Sequence, residues 1–342
     1  MKFAVATHSF LLTIEFDQQW RPIDHQVLGT GYHYGIGLCC SQNNQPATHF
    51  TAYRGGPALA EQVDRELITY QNSQNFPKVA VQRLDESFDD VHQIAQSTEG
   101  LYLANTGRNS LVYLANDGRR HEYFFDDLNY DYNHVNSVFP YGNKMLVMLH
   151  NKAHKESQVV VMNHDQRHGF TRDKSFSLWE IGCHNVYVEG KQLFYNGSRE
   201  NRFVQADLAH SRINQTIRLD GHTKGMSVSD GHILIGMSEH TVRDQRARSK
   251  GYLVVIDKST LAVTATVDIN FPDLPHPVGN INEIRNLSAP DRAHDFGGAP
   301  AFNWSKVTMA ESQQWQHKLF QVKTTTLKPL RRLKQKLLGY QK

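Results

Sequence analysis

Residues 90–118, DVHQIAQSTEGLYLANTGRNSLVYLANDG, read as successive short strands with a turn signal between each pair. Val91, Ile94, Leu101, Leu103, Leu111, Val112 and Leu114 give a mostly alternating apolar pattern. Glu99-Gly100, Thr106-Gly107 and Asp117-Gly118 interrupt it at short intervals. The stretch is one antiparallel sheet of blade size. Its opening recurs as HVNSVFPYGNKMLVML from His134, CHNVYVEGKQLFYNG from Cys183 and GMSVSDGHILIGMS from Gly225. A repeat of a few tens of residues, built only of strands, predicts an all-β propeller.

Aligned on their first strands, Val91-His92-Gln93-Ile94 stands beside Val135-Asn136-Ser137-Val138, Cys183-His184-Asn185-Val186 and Gly225-Met226-Ser227-Val228. Ile281-Asn282-Glu283-Ile284 fits as a degenerate copy, and Tyr32 to Ile36 fits loosely near the N-terminus. The openings lie about 42 to 58 residues apart, which brackets a four-stranded blade and its loops. Six openings predict six blades, with five or seven as the alternatives.

Within these repeats LYLANTGRNSLVYLANDG resembles the NHL-type repeat, an apolar strand leading through an acidic or amide residue and a glycine turn to a second apolar strand. The 90–290 region is similar to the broad six-bladed propeller group that includes strictosidine-synthase-like and gluconolactonase-like proteins. That resemblance implies a propeller fold. It also implies a Ca or other divalent ion held by Glu, Asn and Asp at the channel mouth, a set that Asn136, Asn185, Asn282 and Glu283 imitate in part. The histidine content departs from the group's pattern. Propellers host hydrolases, lyases, oxidoreductases and inert scaffolds, so the likeness speaks to fold before activity.

A chain of 342 residues is the size of one closed propeller with appendages, here residues 1–300 with an extension over 301–342. The mean hydropathy of −0.55 is low, and 17 Phe and 14 Tyr suit strands and blade interfaces. No run reaches the roughly 18 apolar residues of a membrane span. The apolar run Phe10 to Ile14 is preceded only by Lys2 and followed by Glu15 and Asp17, so it reads as a strand rather than a signal peptide. Phe3 to Ile14 is the candidate for closing the ring against the last blade. Three cysteines, Cys39, Cys40 and Cys183, have neither disulfide-framework nor zinc-finger spacing, which points to a reducing, cytoplasmic compartment. Cys183 beside His184 is no nucleophile pair, because neighbours in a strand face opposite ways.

The ends differ from the middle. A helical insertion is expected at about residues 57–72, with Pro57 at a first helical position and Leu59, Val63 and Leu67 on one face. After Glu311 every charged residue is basic: Lys318, Lys323, Lys328, Arg331, Arg332, Lys334, Lys336 and Lys342. Set against a net charge of +3, those eight leave −5 on the rest of the chain. KPLRRLKQKLL, from Lys328 to Leu338, puts Leu330, Leu333, Leu337 and Leu338 on one helical face among basic residues. Such a basic C-terminal helix packs on the propeller or docks on an anionic membrane surface, giving peripheral membrane attachment. An acidic body without a recognised binding motif argues against nucleic acid as partner.

Chemistry is expected where the first strands converge on the channel, in a ring of His92, Asn136, His184, Met226 and Asn282, with His134 on the face of Asn136. His92, His134 and His184 are the candidate metal ligands for Zn, Mn, Fe or Ca. Glu283 is a fourth ligand or general base, Arg285 a holder of a substrate carboxylate, and His222, with Lys224, a holder of an anionic substrate. With 19 histidines in the chain, a structural polar channel is the competing account. No P-loop, dinucleotide fingerprint or nucleophile elbow occurs. Three functions follow: a metal-assisted lyase or hydrolase acting on a small sugar-like or lactone-like molecule, a non-catalytic propeller binding a protein or glycan, and a membrane-surface adaptor recruited by its tail.

Overall fold

A computed structural model describes residues 1–39, 48–53, 66–71, 78–97, 99–127, 130–142, 144–178, 180–210 and 212–287, with side chains mainly over 1–37 and 84–287. In chain order the strands begin with β1 (Lys2–Thr7), β2 (Phe10–Phe16), β3 (Pro22–Thr30), β4 (His33–Cys39), β5 (Thr48–Tyr53), β6 (Glu66–Gln71) and β7 (Lys78–Arg83). They continue with β8 (Val91–Gln96), β9 (Gly100–Asn105), β10 (Ser110–Ala115), β11 (Arg120–Phe124), β12 (Val135–Tyr141), β13 (Lys144–Leu149), β14 (Gln158–Asp165) and β15 (Gly169–Ser177). The last are β16 (His184–Glu189), β17 (Gln192–Gly197), β18 (Arg202–Asp207), β19 (Arg212–Arg218), β20 (His222–Val228), β21 (His232–Ser238), β22 (Gly251–Asp257), β23 (Val263–Asp268) and β24 (Ile281–Asn286).

These strands form six four-stranded antiparallel sheets, five of consecutive strands and one in the order β24-β1-β2-β3. The innermost strands β4, β8, β12, β16, β20 and β24 each contact the next, and β24 returns to β4. The molecule is therefore an all-β propeller around a central channel. Strands predicted to begin at Val91, Val135 and Ile281 do so; those expected at Cys183 and Gly225 begin at His184 and His222.

Each blade runs from apolar to polar outward. Middle strands such as KMLVML (β13) and QVVVMNHD (β14) are buried on both alternating faces, because a neighbouring blade covers each face. Outer strands such as RINQTIR (β19) are mostly exposed. The core is consequently a set of layers between blades. Leu146, Met148 and Val161 meet Val186, Leu193 and Tyr195 in one layer; Phe194 and Phe203 meet Ile233, Ile235 and Val254 in the next.

Bulges shape the inner strands. The register shifts between Tyr34 and Ile36, His184 and Val186, and Lys224 and Met226, and the extra residues Gly35, Asn185 and Gly225 have φ of 25°, 54° and 72°. A Cβ on Gly35 would stand 2.7 Å from the Cα of Gln93, the carbonyl oxygen of His92 and the nitrogen of Ile94, so glycine is needed where β4 crosses β8. The bulge at Gly225 corrects the sequence alignment. Lys224, not Met226, matches His184, and Met226 is buried in an inter-blade layer.

Ring closure follows the expectation for the N-terminal strand: β1 pairs with β24, Val5 opposite Ile284 and Phe3 opposite Asn286. The helix expected over 57–72 is corrected at its second half, since Glu66–Gln71 is strand β6, paired with β5 and β7. Leu67-Ile68-Thr69-Tyr70 carries β-branched and aromatic residues that favour a strand once neighbours exist on both sides. The first half of that helix and the basic C-terminal helix lie outside the described residues. Among the described residues no helix is long and apolar enough to cross a membrane.

Candidate functional site

A funnel of about 1250 Å³ opens where the inner strands begin. Its wall carries an arc of rings contributed by successive blades. Tyr32 lies 5.2 Å from His8 and Tyr34 5.5 Å from His8, centroid to centroid; Tyr34 to His92 is 5.0 Å and His92 to His134 is 4.7 Å. The arc continues from His134 to His150 at 5.0 Å, to His184 at 4.9 Å and to His222 at 6.0 Å. Among the described residues no side chain lining the funnel is aliphatic.

Hydrogen bonds to one ring nitrogen fix what the other offers. His92 Nδ1 donates to the Asp90 carbonyl at 3.0 Å, and His134 Nδ1 donates to the Asp131 carboxylate at 2.9 Å. His184 Nδ1 lies 2.8 Å from Ser198 Oγ, whose own proton goes to the Thr223 carbonyl, so the imidazole is the donor. All three therefore present an Nε2 lone pair in their neutral forms. His150 is opposite: its Nδ1 accepts the Lys152 backbone N–H at 3.0 Å, leaving the proton on Nε2. His8 Nε2 is within 3.2 Å of the Tyr34 hydroxyl.

Burial disfavours the charged form of His134, His150, His184 and His222. It lowers the basicity of His134 against the pull of Asp131. His150 is held well below the ordinary imidazole value by burial and then by His134 and Lys224. His184 is held well below it by burial, then by Lys224 and His150. His222 is pushed down to about 3 by burial, with Lys224 and Arg246 adding to the effect. The funnel is also polarised. Asp89, Asp90 and Asp131 come from the loops entering β8 and β12, whereas Arg199, Lys224, Arg243 and Arg246 come from the segments after β17, on β20 and after β21, the last of which also brings Asp244 to the wall. Asp131 is itself bridged by Lys152.

Beneath the funnel, amides stitch neighbouring inner strands together. Val138 N–H donates to Gln93 Oε1 at 2.7 Å, Asn136 Nδ2 to the Cys183 carbonyl at 2.9 Å, Gly225 N–H to Asn185 Oδ1 at 2.9 Å, and Asn282 Nδ2 to the His33 carbonyl at 2.8 Å. Asn136, Asn185 and Asn282, part of the ion-binding set that the family resemblance implied, are thus engaged in holding blades together.

His92, His134, His184 and His222 all line the funnel. His92, His134 and His184, the expected ligands of one ion, follow one another along an arc, with His150 between His134 and His184. Among the described residues no group of three His, Cys, Asp or Glu side chains could hold a metal ion. Glu283 lies on the floor, where its carboxylate is 2.5 Å from Arg285 Nη1 and also accepts from the Gln93 amide. Arg285 does not line the funnel; its guanidinium is spent on Glu283 and on the Ile284 and Met226 carbonyls. Cys183 is fully buried between blades, its thiol pushed up well above the ordinary value by burial.

Sequence reasoning missed His8, His150 and Asp131. His8 sits in the turn between β1 and β2 and His150 directly after β13, positions outside the first-strand pattern. The motif HNKAH, His150 to His154, was the available signal for the second.

No family model and no curated protein matches the chain. Solved structures do resemble it. A chain of the nidogen/laminin complex superposes with a TM-score of 0.60 at 8% identity, covering 83% of this chain and 97% of that one. A protein of unknown function from Bacteroides caccae gives 0.57 at 12% identity with the same coverage of 83% and 97%. A streptogramin B lyase gives 0.44 at 11% identity over 80% of this chain and 75% of its own. At these identities the likeness to the first two establishes the propeller fold alone.

Proposed function

We propose that the protein is an enzyme of the lyase or hydrolase class that moves protons on a small, polar, sugar-like or lactone-like molecule in the histidine funnel. The observation carrying this reading is the His134–His150 pair: adjacent rings of opposite tautomer, with His134 backed by the Asp131 carboxylate. His134 Nε2 serves as general base, taking a proton from the carbon next to a carbonyl or from an attacking water. His150 Nε2–H donates to the oxygen on which negative charge develops. A carboxylate behind a histidine orients the ring and stabilises its protonated form, and a neutral imidazole N–H can polarise a carbonyl. The polar lining fits a hydroxylated ligand better than a lipid or an aromatic one. The ligand role first expected of His92, His134 and His184 toward a metal is no part of this reading, which rests on the tautomers of the His134–His150 pair.

The test is a panel of sugar acids and aldonolactones incubated with the protein in D2O and followed by proton NMR for α-proton exchange, double-bond formation or ring opening. Turnover of at least one member is expected, with a loss of about 10²- to 10⁴-fold in His134→Asn, the range for a general base. Turnover unchanged in that variant sinks the reading. Ligand binding without turnover favours a non-catalytic binding propeller.

A further inference from the structure

Hydrogen-bond direction sorts the funnel more strictly than charge does. On the β20 side the 3-10 turn Arg243–Arg248 brings both signs to the wall, Asp244 standing between Arg243 and Arg246, so charge selects no ligand there. The imidazoles follow a fixed order. His134 presents a lone pair at Nε2, His150 a proton, and His184 again a lone pair, with successive ring centroids 5.0 and 4.9 Å apart. One residue sets the far side of this pattern. Ser198, buried just after β17, accepts at Oγ from His184 Nδ1 at 2.8 Å and gives its own proton to the Thr223 carbonyl, while its backbone carbonyl accepts from His222. The imidazoles on this side therefore offer lone pairs only, and that of the enclosed His222 Nε2 is unmet among the described residues. Burial, and next Lys224, disfavour the charged form of His184, which keeps its lone pair for an incoming donor. With Nδ1 turned to Ser198, the Nε2 edge is what His184 has left for the funnel and the floor cavity that it also lines.

A 2-hydroxylactone carries the matching order. Its ring places the carbonyl oxygen between the hydrogen and the hydroxyl of the neighbouring carbon, in projection along the bond that joins the two carbons. Base, donor and acceptor along the wall then meet hydrogen, carbonyl oxygen and hydroxyl. We propose that His184 determines specificity, accepting a hydrogen bond from the hydroxyl on the carbon that yields its proton to His134, with Ser198 as its positioning residue, so that the ligand is an α-hydroxy carbonyl compound. This rests on the reading of His134 and His150 as base and donor, and adds the substituent that the substrate carries. In the step the C–H bond breaks and its proton goes to His134 Nε2. The electron pair forms a carbon–carbon double bond as the carbonyl electrons move to the oxygen facing His150 Nε2–H. A deuteron taken up from D2O by His134 returns to the carbon, and His184 keeps its protonation state throughout.

Isothermal titration of the full-length protein with D-galactono-1,4-lactone and its 2-deoxy counterpart tests the assignment. The hydroxylated lactone is expected to bind about tenfold or more tightly. His184→Leu should bring the two to parity, whereas His184→Gln, whose amide oxygen still accepts, should keep part of the preference. Ser198→Ala should reduce the preference and, in 15N spectra of the imidazoles, turn His184 from the Nδ1-protonated form into a mixture of tautomers. A merely structural serine would leave that spectrum alone. The spectrum needs no ligand, so Ser198→Ala carries the test should His184→Leu fail to fold. Equal affinity for the two lactones, no binding of the hydroxylated one, a preference unchanged in His184→Leu, or a His184 protonated at Nε2 in the parent overturns the proposal. A preference retained in His134→Asn, with no α-proton exchange in the parent, leaves the specificity site standing and removes the proton-transfer function.

Discussion

Arg285→Met is expected to destabilise the protein strongly while sparing the funnel. In the fold the guanidinium lies 2.5 Å from Glu283, with side-chain exposures of 5% and 1%, so both charges are withdrawn from water. Removing the cation leaves a carboxylate whose remaining partners are the Gln93 amide and the Ile284 backbone N–H. Breaking a buried pair from one side costs about 3–5 kcal/mol, because the surviving charge is uncompensated. At about 2 °C per kcal/mol for a domain of this size, the melting temperature should fall by roughly 6–10 °C. Adding Glu283→Gln to Arg285→Met removes the unpaired charge and should recover most of the loss. Scanning calorimetry of the parent and the two variants makes the measurement. A single variant within about 1 °C of the parent, or a double variant no more stable than the single, would refute the buried pairing of Arg285 with Glu283.

Acid should unfold the protein early. His33 and His222 are held at about 4 and about 3 in the fold, and each takes up a proton on unfolding below its ordinary value. Stability contributed by their neutral forms is therefore intact above about pH 6.5 and is lost as pH falls toward those values, at up to about 1.4 kcal/mol per pH unit for each, readable in urea midpoints. A flat stability profile between about pH 6 and 4 would contradict the burial of these rings. Gly35→Ala should lower the melting temperature by several degrees, since its methyl meets three backbone atoms of β8 at 2.7 Å in a backbone conformation side chains disfavour. A variant melting with the parent would mean that β4 and β8 are not so closely apposed.

Much of the propeller was legible because a blade is written locally. The alternation in β9 and β10 and the glycine turns between strands recur, and the openings at Val91, Val135 and Ile281 are where strands begin. The reading slipped where one residue was added without a sequence mark. The bulge at Gly225 displaces the alignment, so Met226 was placed on the channel where Lys224 stands. It slipped again at β6, whose leucine spacing suits a helix face until β5 and β7 supply hydrogen-bond partners. The histidines were visible as a group, yet whether three rings share a point or follow one another along a wall depends on how blades rotate about the axis. His150 and His8 escaped because they stand in connections, where strand periodicity has nothing to say.

The pairing of β24 with β1 gives the channel wall a mechanical property. Strand β24 is the innermost strand of its sheet and leads directly to Leu287, whose N–H is tied to the Lys2 carbonyl at the end of the strand away from the funnel. The same six residues carry Asn282, Glu283 and Arg285, which anchor the funnel floor. Tension on the chain beyond Leu287 is thus delivered along the axle of the propeller, lengthwise into the floor of the cavity, and not to an outer blade edge. A load there must shear the β24–β1 ladder as a whole, the stiff direction of a sheet, before the arc of imidazoles loses its register.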